Sequence, residues 1–351
     1  MCVRGLEGIR ANVGSPDGGV ETHMSDGRGR GRSRSRIRSL SILALGAAAL
    51  AVVAVAVREA REPKRPFARL GSSESPHEPT PTSSRSNQHP PNKAWVVLIV
   101  MENHEYSDIV GSADAPYVNQ SLIPGGKLFT NYDAVSHPSL PNYLAMTSGS
   151  TGGKQGTDSV SAGEIAADNL FGQLSTAGID WRAFEEAMPS ACFKPYSAGS
   201  SPNSYELKHD PAMTYADIAD TSLCRQVVPY SWLDPSHLPP FSFVTPDECN
   251  DMHSCPAQAG DAWLARNIPP LLRAGAIVIV TFDEGSTDAG GGGHVLLVEV
   301  GDGVPAGSRE DRPFDHYGLL AGLETYFGLP RLGAAGTAAP FPIPPVAHPR
   351  G

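Results

Sequence analysis

Residues 94–103 read Ala-Trp-Val-Val-Leu-Ile-Val-Met-Glu-Asn, an unbroken apolar and largely β-branched run that stops abruptly at an acid and an amide. A strand with one face in water alternates apolar and polar residues. A run apolar at every position belongs to a strand buried on both faces. Runs of the same kind recur at 241–244, 276–282 and 294–300. Between them lie helix-like patterns at 142–147, 166–177, 262–274 and 317–327. Strands alternating with helices predict an α/β fold built around a mostly parallel sheet, in one domain from about residue 93 to 335.

The chain before residue 93 is of another kind. Arg28, Arg30, Arg32, Arg34, Arg36 and Arg38 stand directly before an apolar run at 40–57 that carries no charge. Arginines against an apolar run are an export pattern, with the basic side cytoplasmic and everything after the run outside. Ala54-Val55-Ala56 offers a small-residue cleavage site, and the run is short for a bilayer span, so a signal peptide and a membrane anchor both remain open. The expected organisation is a basic cytoplasmic segment at 1–38, the signal or anchor at 39–57, a Pro/Ser-rich linker at 58–92 and an Ala/Pro-rich tail at 336–351. The folded body is then secreted or held on the outer face of the cytoplasmic membrane.

Export decides how the cysteines are read. Cys2 lies ahead of the apolar run, which leaves Cys192, Cys224, Cys249 and Cys255 in a compartment where disulfides persist. Cys192 with Cys224 and Cys249 with Cys255 is the preferred pairing. Charge narrows the partners. The chain has 27 Lys plus Arg against 37 Asp plus Glu, and residues 1–66 hold 12 basic and 6 acidic, leaving 15 against 31 for the rest. A body that acidic, without a basic stripe, does not clamp nucleic acid.

Several strand candidates end in acids. The first runs into Glu102-Asn103, the third into Asp283-Glu284, and the second is followed by Asp247, Asp251 and His253. In an open parallel sheet these ends share one edge, where ligands bind. Groups about 180 residues apart in sequence therefore converge. Clustered carboxylates cost several kcal/mol in repulsion and desolvation unless a cation joins them. The oxygens of Glu102, Asn103, Asp283 and Glu284 suit a hard divalent ion, while Asp251 and His253 would draw the site toward zinc.

The second informative stretch is His137-Pro-Ser-Leu-Pro-Asn142. Pro141 is tolerated in a first helical turn, which puts Ser139 at a helix cap and Asn142 on the same face. A hydroxyl at a helix amino terminus lies beside free N–H groups and the positive end of the dipole, where a phosphoryl group binds well. With a metal nearby Ser139 becomes a candidate nucleophile, and the Asn142 amide a donor to a phosphoryl oxygen.

The order of motifs completes a resemblance. MEN at 101–103, HPSLPNYLAMTSGS at 137–150, KHDP at 208–211, CNDMHSC at 249–255, GDAWL at 260–264, TFDEG at 281–285, GGHV at 292–295 and DHYGLLAGLETYFGLP at 315–330 together resemble the bacterial phosphoesterase family of acid phosphatases and phosphatidylcholine-type phospholipases C. That family lies within the alkaline phosphatase superfamily. The resemblance implies an alkaline-phosphatase-like α/β/α sandwich and metal-assisted ester hydrolysis. It implies a metal held by Glu102, Asn103, Ser139, Asp283 and Glu284, with Asp251 as a further candidate, and a catalytic set of Ser139, Asn142, His209 and His253. Ser139 would attack phosphorus in line to form a phosphoseryl enzyme, and His253 or His209 would stabilise the equatorial charge or protonate the leaving alkoxide. Larger relatives often carry Asp before the His of the GGHV-like segment, whereas Gly293 stands here; His294 and His316 are left without a role.

The expected substrate is a small phosphate ester or a phospholipid headgroup. The tail after 336 lacks the extra domains of the larger phospholipases C, which favours phosphate monoesters over phospholipase C-type diester cleavage. A non-catalytic cell-surface binding protein on the same fold is the reading from another class. An uncleaved apolar segment would add the membrane as a partner.

Overall fold

The computed structural model describes residues 94–345. The predicted basic segment, signal or anchor and linker lie outside the described residues, as do residues 346–351. No helix among the described residues is long and apolar enough to cross a membrane.

Eight strands form the central sheet, in the order Ser308–Glu310, Lys127–Phe129, Leu297–Val300, Ile277–Phe282, Val96–Met101, Phe241–Thr245, Trp181–Glu185 and Val227–Pro229. Every pairing is parallel except the two that Leu297–Val300 makes with its neighbours. The α/β fold with a mostly parallel sheet is thus the one the sequence predicts. Side chains of Val96–Met101 are fully buried at each position, and successive residues point to opposite faces, so both faces of the sheet are covered. Burying each such side chain contributes about 1.5–3 kcal/mol.

Helices form close to the expected places: Ser139–Ser148, Leu170–Thr176, Ala257–Arg273 and His316–Phe327. Ser139–Ser148 packs against His316–Phe327, and Ala257–Arg273 against the Ile277–Phe282 strand. Gly149 ends the first of these helices in the left-handed region at φ 70, and a Cβ there would lie 2.3 Å from the Leu332 carbonyl, so only glycine allows this close approach. Disulfides join Cys192 to Cys224 and Cys249 to Cys255, the preferred pairing.

Packing does not stop at residue 336, where a tail was expected to begin. Phe341 is buried with its ring centroid 4.4 Å from that of Phe129, and its N–H donates to the Gly318 carbonyl at 2.9 Å. A large aromatic amid Ala and Pro supplies enough apolar area to fix the segment over the His316–Phe327 helix.

Candidate active site

Strand register brings the acids together. Met101 pairs with Phe282 in the parallel ladder, so Glu102 and Asp283 leave the sheet side by side. Asn103 then turns into the left-handed region at φ 58, and its N–H donates to Oδ1 of Asp283 at 3.1 Å. The Glu102 N–H donates to the Asp251 carbonyl at 2.9 Å, which ties the Cys249–Cys255 loop to the same edge.

Ser139 enters from its helix. Pro138, not Ser139, occupies the cap position, and Ser139 is the first helical residue. Its hydroxyl is therefore free of capping duty and donates to Oε2 of Glu102 at 3.0 Å, with Oε1 of Glu284 at 3.4 Å. A carboxylate from a distant loop serves the helix end instead: Oδ1 of Asp158 accepts the Leu140 N–H at 3.0 Å.

Asn142 does not have the role expected of it. Its Oδ1 accepts the N–H groups of Val135 and Ser136 at 3.0 and 3.1 Å, and its Nδ2 donates to the carbonyls of Ser136 and Pro138 at 2.8 and 3.1 Å. Both amide hydrogens are used, which leaves none for a phosphoryl oxygen. Asn142 is a positioning residue that folds the 135–138 turn leading into Ser139.

The electrostatics of the cluster follow from burial. Glu102, Asp251 and Asp283 are fully buried. Burial first, then Asp283 and Asp251, pushes the Glu102 carboxyl well above its usual range; burial and Glu284 push Asp283 up to about 7. Oδ2 of Asp251 and Oδ2 of Asp283 have no hydrogen-bond partner. Buried anionic oxygens left bare are costly, and a cation is the group that relieves them. Among the described residues no three His, Cys, Asp or Glu side chains are grouped so that they could hold a metal ion. In chemistry the donors nevertheless fit a hard divalent ion, being oxygens of carboxylates and a hydroxyl.

Tyr143, which the sequence presents as one more core residue of the helix, reaches the site as well. Its hydroxyl donates to Oε1 of Glu102 at 2.6 Å, and its ring stacks on His209 with centroids 5.5 Å apart. His209 is buried, with Nε2 3.3 Å from the same Glu102 oxygen and Nδ1 3.7 Å from both Glu248 and Asp251. Burial, then Lys208 and His253, hold its pKa well below the usual histidine range, so it is neutral. His253 sits nearer the rim, with Nδ1 3.0 Å from Oε2 of Glu248.

Three other histidines divide plainly. Nδ1 of His137 bonds to Oε2 of Glu284, and Nε2 lies 2.9 Å from the Thr287 carbonyl, so this loop residue positions an acid. His316 is buried behind the site, with Nδ1 2.8 Å from the Tyr132 hydroxyl and Nε2 against the Asp283 carbonyl. Burial pushes its pKa down to about 4, so the neutral ring donates to that carbonyl from Nε2 and accepts from Tyr132. His294 stands apart, stacked on Tyr106 with Nε2 3.1 Å from the Thr130 carbonyl. Gly293 before it adopts φ 100, and a Cβ there would lie 2.6 Å from Cα of Gly285, so an Asp does not fit at this position.

Residues 112–330 match the phosphoesterase family. The chain belongs to the phosphoesterase family. By class it is a phosphoric ester hydrolase. It is 34% identical over 257 residues to the phosphatidylinositol-3-phosphatase of Mycobacterium tuberculosis, covering 72% of this chain and 82% of that one. It is 33% identical over 229 residues to the phosphate-repressible acid phosphatase of Penicillium chrysogenum, covering 60% of this chain and 54% of the other. The chain thus spans about half the length of that fungal relative. A solved protein of the alkaline phosphatase superfamily from Vibrio parahaemolyticus aligns with a TM-score of 0.47 and 12% identity over 68% of this chain and 67% of that one.

Proposed function

We propose that this family member is an exported, metal-dependent phosphomonoesterase that works through Ser139. The observation that carries the reading is the Ser139 hydroxyl, which opens a helix and donates to Glu102 at 3.0 Å amid three further acids. Glu102, Asn103, Asp283 and Glu284, with the Ser139 oxygen, are the residues that would hold a divalent ion, with Asp251 behind Glu102. Such an ion supplies Lewis acidity, lowering the cost of the serine alkoxide and offsetting phosphoryl charge.

The chain's own groups do the rest. Oε2 of Glu102 receives the Ser139 proton as Oγ bonds to phosphorus. The bond to the leaving alkoxide breaks, and His253, backed by Glu248 at Nδ1, gives the alkoxide its proton from Nε2. Water then attacks the phosphoseryl group and gives a proton to Nε2 of His253, the bond to Oγ breaks, and Ser139 recovers its proton from Glu102. Tyr143 and His316 keep Glu102 and Asp283 in register throughout.

Both relatives are named phosphatases, which favours monoesters over the phospholipase C-type diester reading. Small phosphate monoesters are the proposed substrates, and the mycobacterial relative's name makes a phosphoinositide headgroup the second candidate. Two disulfides favour an oxidising compartment and so export, either secreted or on the outer face of the cytoplasmic membrane. The test is hydrolysis of p-nitrophenyl phosphate and bis-p-nitrophenyl phosphate with and without EDTA, beside Ser139→Ala. EDTA-insensitive turnover, or turnover kept by Ser139→Ala, refutes the reading.

A further inference from the structure

A phosphate monoester is largely a dianion near neutral pH, whereas a diester carries one charge. The groups around Ser139 are mostly acids, so the second charge needs a cation. Lys208 is next to His209, its side chain only 12% exposed. Its ammonium is nonetheless poorly served: Nζ lies 3.5 Å from Nε2 of His253 and 3.6 Å from Oδ2 of Asp158. Three donors with two long contacts leave the ammonium able to take a closer anionic partner. Burial works against its charge, but Glu102, Asp158 and Glu248 outweigh burial and raise its pKa above the usual lysine value. The ammonium stays charged.

Its place in the site gives that charge a use. Asp158 reaches toward Lys208 with Oδ2 while Oδ1 accepts the Leu140 N–H at 3.0 Å. One carboxylate therefore spans the gap between the lysine and the amino end of the ten-residue helix that begins with Ser139. A helix N-terminus facing an ammonium is where an external anion is held well, and the chain's own carboxylate fills that position here.

We propose that Lys208 is a specificity-determining residue for phosphate charge, its ammonium exchanging Asp158 for a non-bridging oxygen of the bound phosphoryl group and so favouring dianionic monoesters over monoanionic diesters. This rests on the phosphomonoesterase reading above.

The test compares the full chain with Lys208→Met, Lys208→Arg and Ser139→Ala on p-nitrophenyl phosphate and bis-p-nitrophenyl phosphate near neutral pH. Losing a charge-assisted hydrogen bond predicts that Lys208→Met lowers kcat/KM about 30-fold for the monoester and under about 3-fold for the diester. Inorganic phosphate should inhibit Lys208→Met about 10-fold more weakly, and Lys208→Arg should recover most of the monoester rate. Thermal melting reports folding; if Lys208→Met does not fold, Lys208→Gln removes the charge while keeping a polar group and is read the same way. Equal losses on both esters, or a folded Lys208→Arg no better than Lys208→Met, overturn the proposal while Ser139-dependent turnover stands. If the unaltered chain has no Ser139-dependent turnover of either ester, the phosphomonoesterase reading falls first and this inference with it.

Discussion

Replacing Asn142 by Asp separates two roles that an amide beside a nucleophile can play. The substitution keeps the shape and the acceptor that serves the Val135 and Ser136 N–H groups. It puts an oxygen where Nδ2 now donates to the carbonyls of Ser136 and Pro138. Two buried acceptors then lose their donor, at about 1–3 kcal/mol each before the turn relaxes, so a net loss of about 3 kcal/mol is expected. For a folded unit of this size that lowers Tm by about 6–12 °C. The same turn aims Ser139, and a displacement near 1 Å costs about 100-fold in kcat. Thermal and urea unfolding, run beside p-nitrophenyl phosphate kinetics, measure both effects on one preparation. If Asn142→Asp melts within about 1 °C of the unaltered protein while kcat collapses, the amide acts on substrate and the positioning role is wrong.

Glu299 tests the acid chemistry of the core away from the site. Both its carboxylate oxygens are buried without a partner, and burial, only partly offset by Lys127, pushes its pKa to about 8. A raised folded pKa means the fold holds a proton the unfolded chain releases, so stability is full below pH ~4.5 and falls as pH rises toward 8. Glu299→Gln should gain a few kcal/mol over the unaltered protein between pH 5 and 8 in urea unfolding, and a gap that does not widen with pH refutes this. His316→Phe should lower kcat about 10-fold by freeing the Asp283 carbonyl, with KM little changed; a fall in KM affinity alone would contradict it. Opening the 32-residue Cys192–Cys224 loop should cost about 4 kcal/mol and opening the 6-residue Cys249–Cys255 loop about 2 kcal/mol. The smaller stability loss should carry the larger activity loss, because Asp251 and His253 lie inside that loop.

The buried strands and the convergence of their acidic ends are legible in the sequence because burial on both faces writes itself as an unbroken apolar run. Direction is not written there: Leu297–Val300 runs antiparallel although its composition matches its parallel neighbours. Short strands such as Lys127–Phe129 and Val227–Pro229 carry too few residues for any period to be seen. In the site, Glu102, Asp283 and Ser139 are marked by position at element ends. Asn142 has the expected place and another task, since what an amide bonds depends on the fold of the turn before it. Tyr143, His137 and Lys208 lie inside motifs that carry the resemblance and Asp158 lies outside them, yet residue type assigns none of the four a task, and only tertiary contact gives them partners.

The central claim is that Ser139 takes the phosphoryl group. The most direct measurement is acid quench of the enzyme during turnover of a phosphate monoester, followed by peptide mass spectrometry. The account predicts phosphate on the peptide bearing Ser139 and neither adduct nor turnover in Ser139→Ala. Sustained turnover by Ser139→Ala, or phosphate on another residue, would contradict it.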